Sequence, residues 1–480
     1  MGSPGVVNAL RRARTRNVVL HLTTGPSNVV VVTAVGDRLS VRRSLQLPEV
    51  CPVPGFSPPQ DDPSVGEPVR IDTWSGAREV FRAKTLRQGL YDEAGLLMRD
   101  VIVNLHGVAH RDRRRVENRL FRRDTFRWYD AEVIPSLVSE AIAPDIALRQ
   151  ADLLTLARRT MMKLACTIAG LDIVDGDFET VFALMNRLAR AATVFHATID
   201  HDALRADGLD ALRQVDELFV RPALQRRITL LHAYAAGECA EDALPRDVLT
   251  TLLRNQDVLG LPIDVVIRET AYFPWVGSHS TANAFVHAVH RLLQWFDAHP
   301  ADRFAVTSDP LRLQRFVHET LRLHPASPQT HRLGTNEPTT IGGTSIGLGR
   351  RVIVDLERAN RDRTVWGPDA DEFRPDRLIP DDAAPWGLTF GHGIHACLGM
   401  ELAGGMAPEL DAEGVVDLNA HVFGAITTMA SILFAGGLER DPDRPAVLDT
   451  STVRTVFSAY PVVFTPSSES FGSIGQTATR

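Results

Sequence analysis

Lysine is almost absent from this 480-residue chain: of 52 Lys and Arg residues, only Lys84 and Lys163 are lysines. A genome rich in G and C explains that skew more simply than a mechanism does. Cysteine is scarce too. Cys51, Cys166, Cys239 and Cys397 are too few and too scattered for a disulfide framework, and most read as ordinary buried thiols. No apolar run approaches the roughly 18 residues needed to cross a bilayer. The best candidates, Val29–Val35 and Ile426–Gly437, are short and broken by Thr, Ser or Gly. Arg11, Arg12, Arg14 and Arg16 precede an apolar stretch of only Val18–Leu20, shorter than a secretory core. Basic excess is missing as well. The net charge of −7 argues against nucleic acid as the main partner. These absences predict a cytoplasmic protein that binds neither membrane nor nucleic acid. What is present is ample core material, with 44% apolar and 23% charged residues, which excludes a disordered chain.

Residues 17–45 alternate apolar and polar around Thr24-Gly25-Pro26-Ser27 and Gly36-Asp37, a pattern of strands joined by turns. A Pro-rich connector follows from Pro48 to Pro68. Helical periodicity dominates 150–300, and short strands are predicted near 331–355 and 453–464. The chain divides into an N-terminal extension (1–66), one large body (67–465) and a frayed tail (466–480). The fold class expected is mainly α with small β-sheets.

Residues 390–399 read Phe-Gly-His-Gly-Ile-His-Ala-Cys-Leu-Gly. Glycines on both sides of a lone cysteine let backbone approach something large and flat. The residues after Cys397 look like the first turns of a helix, where free N–H groups and the helix dipole stabilise a thiolate. A thiolate ligand to haem iron requires that environment. The segment resembles the haem-binding loop of the cytochrome P-450 family, Phe-x-x-Gly-x-His/Arg-x-Cys-x-Gly, at each specified position. The resemblance implies the cytochrome P-450 fold and haem b (iron protoporphyrin IX), with Cys397 as the axial iron ligand. It also implies that His395 reaches a propionate, that Phe390 packs beside the sulfur, and that Gly391 and Gly399 give the loop its close approach.

Four further segments follow in the family's order. Glu319-Thr-Leu-Arg322 resembles the family's Glu-x-x-Arg pair, whose side chains share a helix face. Phe373-Arg-Pro-Asp-Arg377 resembles the segment whose arginine completes that triad, a structural role rather than a catalytic one. His110 and Arg114 resemble the family's His-x-x-x-Arg helix that holds one propionate, and Arg332 sits where an arginine serves the other. Arg111, Arg113 and Arg115 read as a solvated basic face. The fourth segment departs from the pattern. Where the family carries Ala/Gly-Gly-x-Asp/Glu-Thr-Thr above the iron, this chain has Val276-Gly277-Ser278-His279-Ser280-Thr281. Gly277 leaves room for oxygen, and Pro274 is expected to kink the helix. Ser280 keeps a hydroxyl and Thr281 follows it, but His279 replaces the acid of the pair that delivers protons for oxygen activation. Three readings stand: His279 relays protons itself, the relay is altered or dispensable, or His279 points outward and does nothing. A second departure is Ala403-Gly-Gly-Met-Ala-Pro408, which interrupts the helix expected after Cys397. It starts an insertion near 404–420 that serves partner docking, an oligomer contact or nothing.

The function these resemblances imply is haem-thiolate monooxygenation of a small to medium organic molecule, in specialised metabolism. Electrons would come from NAD(P)H through a ferredoxin and its reductase. Substrate contacts are expected from 86–104, 195–224, 272–280, 326–330 and 456–460. Peroxygenation or oxidative coupling is the alternative that His279 raises. A non-catalytic auxiliary relative is a second, against which the presence of Cys397 counts.

Overall fold

The structure is a computed structural model. It describes the backbone of three strands within 18–43, and residues 66–174 and 176–465 in full. The N-terminal strands, Val18–Thr23, Val29–Val35 and Arg38–Arg43, form an antiparallel sheet in chain order, with Val18 opposite Ala34 and Val30 opposite Arg43. Cys51, most of the Pro-rich connector and the tail 466–480 lie outside the described residues.

In the main body, seven helices matter for the site: α1 (Gly107–Glu117), α2 (Leu153–Ala169), α3 (Phe178–Ala192), α4 (Ile263–Ala298), α5 (Pro310–Leu323), α6 (Met400–Gly404) and α7 (Gly424–Ala435). At 36 residues, α4 is about 54 Å long. It runs unbroken through Pro274, and apolar residues cover almost its whole circumference, as befits a helix at the centre of a large core. Asp309 starts α5 as its N-cap, accepting from the N–H groups of Leu311 and Arg312, with Pro310 at the first helical position.

A four-stranded sheet has the order Val69–Ile71, Arg351–Asp355, Gln329–Gly334, Leu86–Gln88. Trp74, Phe81, Val352, Val354, Trp366 and Leu388 pack against it as a second core. That core fixes the segment from 360 to 390, which delivers the cysteine loop. A smaller sheet joins Leu438–Arg440, Pro461–Phe464 and Gln150–Asp152. Among the described residues, no helix is long and apolar enough to cross a membrane.

Candidate active site

Cys397 lies on a tight loop held by its own backbone. Its N–H donates to the Phe390 carbonyl at 2.8 Å, and the Gly391 N–H donates to Leu388 at 2.8 Å. Gly391 and Gly393 both have φ of +71°, and a Cβ on Gly393 would stand 2.7 Å from the Phe81 carbonyl oxygen. Only glycine follows that path without strain. Although Cys397 has accessible surface, that surface faces an interior cavity of about 540 Å3 rather than bulk water. Burial accordingly pushes the thiol pKa up, while the Gly399 N–H and the Arg114 charge pull it down. Helix α6 starts at Met400, two residues later than the sequence suggested, so the sulfur sits ahead of the helix and takes the Gly399 N–H directly.

Around the sulfur the cavity wall is cationic and imidazole-rich. Arg114 donates to the Ala396 carbonyl at 2.6 Å, tying α1 to the residue before the cysteine. His110 and His395 pack with ring centroids 4.1 Å apart. Burial first, then the nearby Arg114 and imidazole charges, lower His110 to about 4 and His395 to about 3, which favours neutral rings. His395 Nε2 and His106 Nδ1 are buried with no hydrogen-bond partner among the described residues. Arg332 is off the cavity wall. It is buried, donating to Gln88 Oε1 at 2.8 Å and Thr330 Oγ1 at 3.1 Å over the Phe81 ring, without a carboxylate partner among the described residues.

Helix α4 brings Gly277, His279, Ser280 and Thr281 to the same cavity. Gly277 faces Ala165 of α2, 3.6 Å from where its Cβ would be. The Ser280 hydroxyl donates to the Val276 carbonyl at 2.7 Å while its residue stays open to the cavity. His279 does not point outward. Its Nε2 is 2.7 Å from Asn186 Oδ1 of α3, and its Nδ1 is 3.2 Å from the Ser278 hydroxyl. Burial and the charges of Arg158 and Arg454 lower its pKa to about 3.

Behind the cysteine, Arg322 grips Glu319 through two bonds of 2.8 Å and donates to the carbonyls of Asn360 and Ala370. Arg377 donates to Glu319 at 3.3 Å and to Asp369 at 2.7 Å. The three residues thus clamp the segment leading into the cysteine loop, off the cavity. Phe390 lines the cavity and packs edge-on against Trp386 at 5.6 Å.

Two sequence readings need correction or refinement. Arg113 is not solvated: it is buried in an ion pair with Glu269 of α4, whose carboxylate also accepts from the Ile102 N–H at 3.0 Å. A helix with charges all round still has one face toward the core, and periodicity could not say which arginine lay there. The interruption after Ala403 is a loop spanning 405–423. Its stems meet where the Met406 N–H donates to Val422 at 2.8 Å, and a Cβ on Gly424 would lie 2.3 Å from the Gly405 nitrogen. The loop therefore leaves and re-enters at one point, between α6 and α7.

Each expected substrate-contact segment contributes to the wall, through Tyr91, Phe195, Tyr272, Ala326 and Val456 among others. Arg158, Asn186 and Arg454 line it as well, and the sequence reading missed them. One signal existed: Arg158 falls four residues after Leu154 and four before Met162, on the apolar stripe of α2.

The resemblance to a haem protein can be tested against these residues. A thiol at a glycine-lined cavity, a buried imidazole nitrogen without a partner, Arg114 beside it and a buried Arg332 without a counter-anion fit a group with an iron and two carboxylates. A Cβ on Gly399 would meet nothing within 4 Å, so that side of the loop is open to a flat face.

A family model described as cytochrome P-450 matches residues 311–407. Erythromycin C-12 hydroxylase of Saccharopolyspora erythraea is 36% identical over 190 residues, covering 38% of this chain and 45% of that protein. Vitamin D(3) 25-hydroxylase of Pseudonocardia autotrophica is 37% identical over 127 residues, or 26% and 29% of the two chains. A bifunctional cytochrome P-450/NADPH–P-450 reductase of Bacillus subtilis is 30% identical over 218 residues, 39% of this chain and 20% of that one. The chain thus spans less than half the length of these curated relatives. The crystal structure of CalO2 superposes with a TM-score of 0.64 at 20% identity, covering 83% of this chain and 90% of that one. A mutant of EryK in complex with erythromycin B gives 0.62 at 20% identity, covering 83% and 91%. Both structures share the fold.

Proposed function

We propose, from the premise that the chain belongs to the cytochrome P-450 family, that it is a haem-thiolate monooxygenase oxidising a small to medium organic molecule. One observation carries this reading: Cys397 opens onto a cavity beside His395, whose Nε2 is buried without a partner among the described residues. Cys397 would hold the iron, with His110, Arg114 and His395 for the two propionates, while Arg332, off the wall, acts there only through its charge on His395. Bound haem supplies the one-electron and oxygen chemistry. The chain supplies the rest. The Gly399 N–H steadies charge on sulfur. Glu319, Arg322 and Arg377 keep the cysteine loop in place, and Gly277 leaves space beside α4. Ser280 presents a hydroxyl, and His279 can hold a proton at either ring nitrogen.

Two relatives are named as hydroxylases, which supports hydroxylation in specialised metabolism here. We assign the electrons to NAD(P)H through ferredoxin and its reductase. A carbon monoxide difference spectrum of the reduced protein tests the ligation. Wild type should show the red-shifted thiolate band, and Cys397→Ser should lose it. A wild-type protein without that band sinks the proposal.

His279 favours a second reading. A buried, neutral ring in place of a carboxylic acid is a poor proton donor near pH 7. That supports peroxide-driven oxidation or oxidative coupling. Turnover with peroxide outpacing turnover with ferredoxin and NADPH would select this reading over the first.

A further inference from the structure

The cavity has a second charged region that the monooxygenase reading does not use. Arg158 on α2 and Arg454 on the loop preceding the strand Phe457–Ala459 both line it. Neither forms an ion pair among the described residues. Arg158 Nε is buried with no hydrogen-bond partner, and Arg454 Nε has only a long bond of 3.4 Å to Thr452 Oγ1. Leaving a buried guanidinium donor unmade costs stability unless a ligand completes it. Two acids act on them, Asp449 on both and Asp152 on Arg158, but Asp449 accepts from the Ser451 N–H at 2.8 Å and Asp152 from the Thr155 N–H at 2.8 Å, and neither bonds a guanidinium of the pair among the described residues.

Both arginines are held from behind. The 449–456 loop is pinned by backbone bonds from Val453 N–H to His196 and from Thr198 N–H to Ser451, each 3.1 Å. The Arg158 backbone lies inside a helix whose neighbouring residues are buried. Their charges act on each other and on His279. Tyr91, Arg158, Arg454 and Cys397 all line the same cavity, so the arginines and the sulfur share one chamber. Phe273, Leu398, Leu402 and Ile426 supply apolar wall in that chamber.

We propose that Arg158 and Arg454 form a carboxylate-recognition site, so that the substrate is an organic acid whose apolar body extends toward Cys397. The planar guanidinium forks match the two oxygens of a carboxylate. A site built to pair a charged group discriminates strongly against the same molecule without it. This inference names the substrate class of the monooxygenase reading and rests on it for the reaction, but the binding can be measured by itself.

The test uses the full chain as expressed with haem and two matched ligand pairs: dodecanoate with its methyl ester, and 2-naphthylacetate with its methyl ester. Binding at pH 7.5 is followed by quenching of tryptophan fluorescence, since Trp275 lines the cavity, and by the shift of the haem absorption band. At least one acid should bind about tenfold or more tighter than its ester. Arg158→Gln and Arg454→Gln should each remove most of that preference with ester affinity held within about twofold, and Arg454→Lys should restore part of it. Equal affinity for acid and ester in both pairs overturns the proposal. So does an equal loss of acid and ester in both Gln variants, which marks the arginines as structural. The carbon monoxide spectrum of the same preparation separates the two levels. Acid preference by fluorescence without a thiolate band leaves the carboxylate site standing and removes the monooxygenase, and the reverse result removes only the carboxylate site.

Discussion

Two substitutions separate what single side chains do here. The Arg113–Glu269 pair is buried on both sides, and Glu117 lies beside it with both carboxylate oxygens unpartnered. Burial raises the pKa of Glu117 well above normal and that of Glu269 to about 7, against the pull of Arg113. Arg113→Ala would strand Glu269, and a denaturant midpoint should report a loss of about 3–5 kcal/mol. Replacing both partners together, as Arg113→Met with Glu269→Leu, should recover most of it. A single variant as stable as wild type would show that the pair contributes nothing. At His279 the expectation concerns chemistry. His279→Asp restores the family's acid but forfeits the 2.7 Å contact with Asn186. It should keep haem binding and raise the fraction of NADPH electrons that reach product. Coupling in His279→Asp equal to that of wild type would remove His279 from the proton path. Neither result could be foreseen from motif spacing, because Asn186 and Glu269 meet their partners only in the packed structure.

At the scale of elements, the junction of α6 and α7 deserves the closest scrutiny. Gly405 has φ of +78°, and a Cβ there would stand 2.1 Å from Gln314 Nε2 and 2.3 Å from the Phe423 carbonyl oxygen. Gly405→Ala therefore combines a left-handed backbone with a clash against fixed groups. It should cost about 1–3 kcal/mol or more, read as a lower unfolding midpoint. The loop beyond it behaves differently. Its outer part makes exposed contacts, such as Arg123 with Glu409, worth less than about 1 kcal/mol. Excising 407–421 and bridging Met406 to Val422 with two glycines should preserve the fold, checked by circular dichroism and melting. A ferredoxin-driven reduction rate that falls while melting stays constant would make the loop a docking element. The sequence exposed this interruption through its Gly-Gly and Pro408. It could not show that the two ends return to one point, which depends on Gln314 and Asp130 anchoring the second stem.

For the molecule as a whole, the buried histidines set the response to acid. Burial is the first cause of depression in each: His196, His290 and His318 fall to about 4, His331 to about 3 and His324 to about 2. Their folded values lie below the ordinary 6.5, so the unfolded chain takes up protons first. The stability they represent is complete above about pH 6.5 and is lost as pH falls through it, by about 1.4 kcal/mol per unit for each fully differential proton. Glu117, Asp130, Asp145, Asp216, Glu269 and Glu401, raised by burial, act in the opposite sense, but eleven depressed imidazoles outweigh six raised carboxyls. The melting temperature should hold between pH 7.5 and about 6.5 and fall as pH drops below that, and a flat profile down to pH 5 would show that these rings open to water before unfolding. By itself the sequence determined the helical class, the cysteine loop, and the pairing of Glu319 with Arg322. Each of those depends on residues close in the chain, or on glycine, whose conformational freedom is written in its identity. Only the tertiary structure decided that Arg113 is buried, that Arg332 stands off the cavity wall, and that Arg158 and Arg454 share a chamber with Cys397. Those facts depend on which helix face meets which neighbour, and no local periodicity records that.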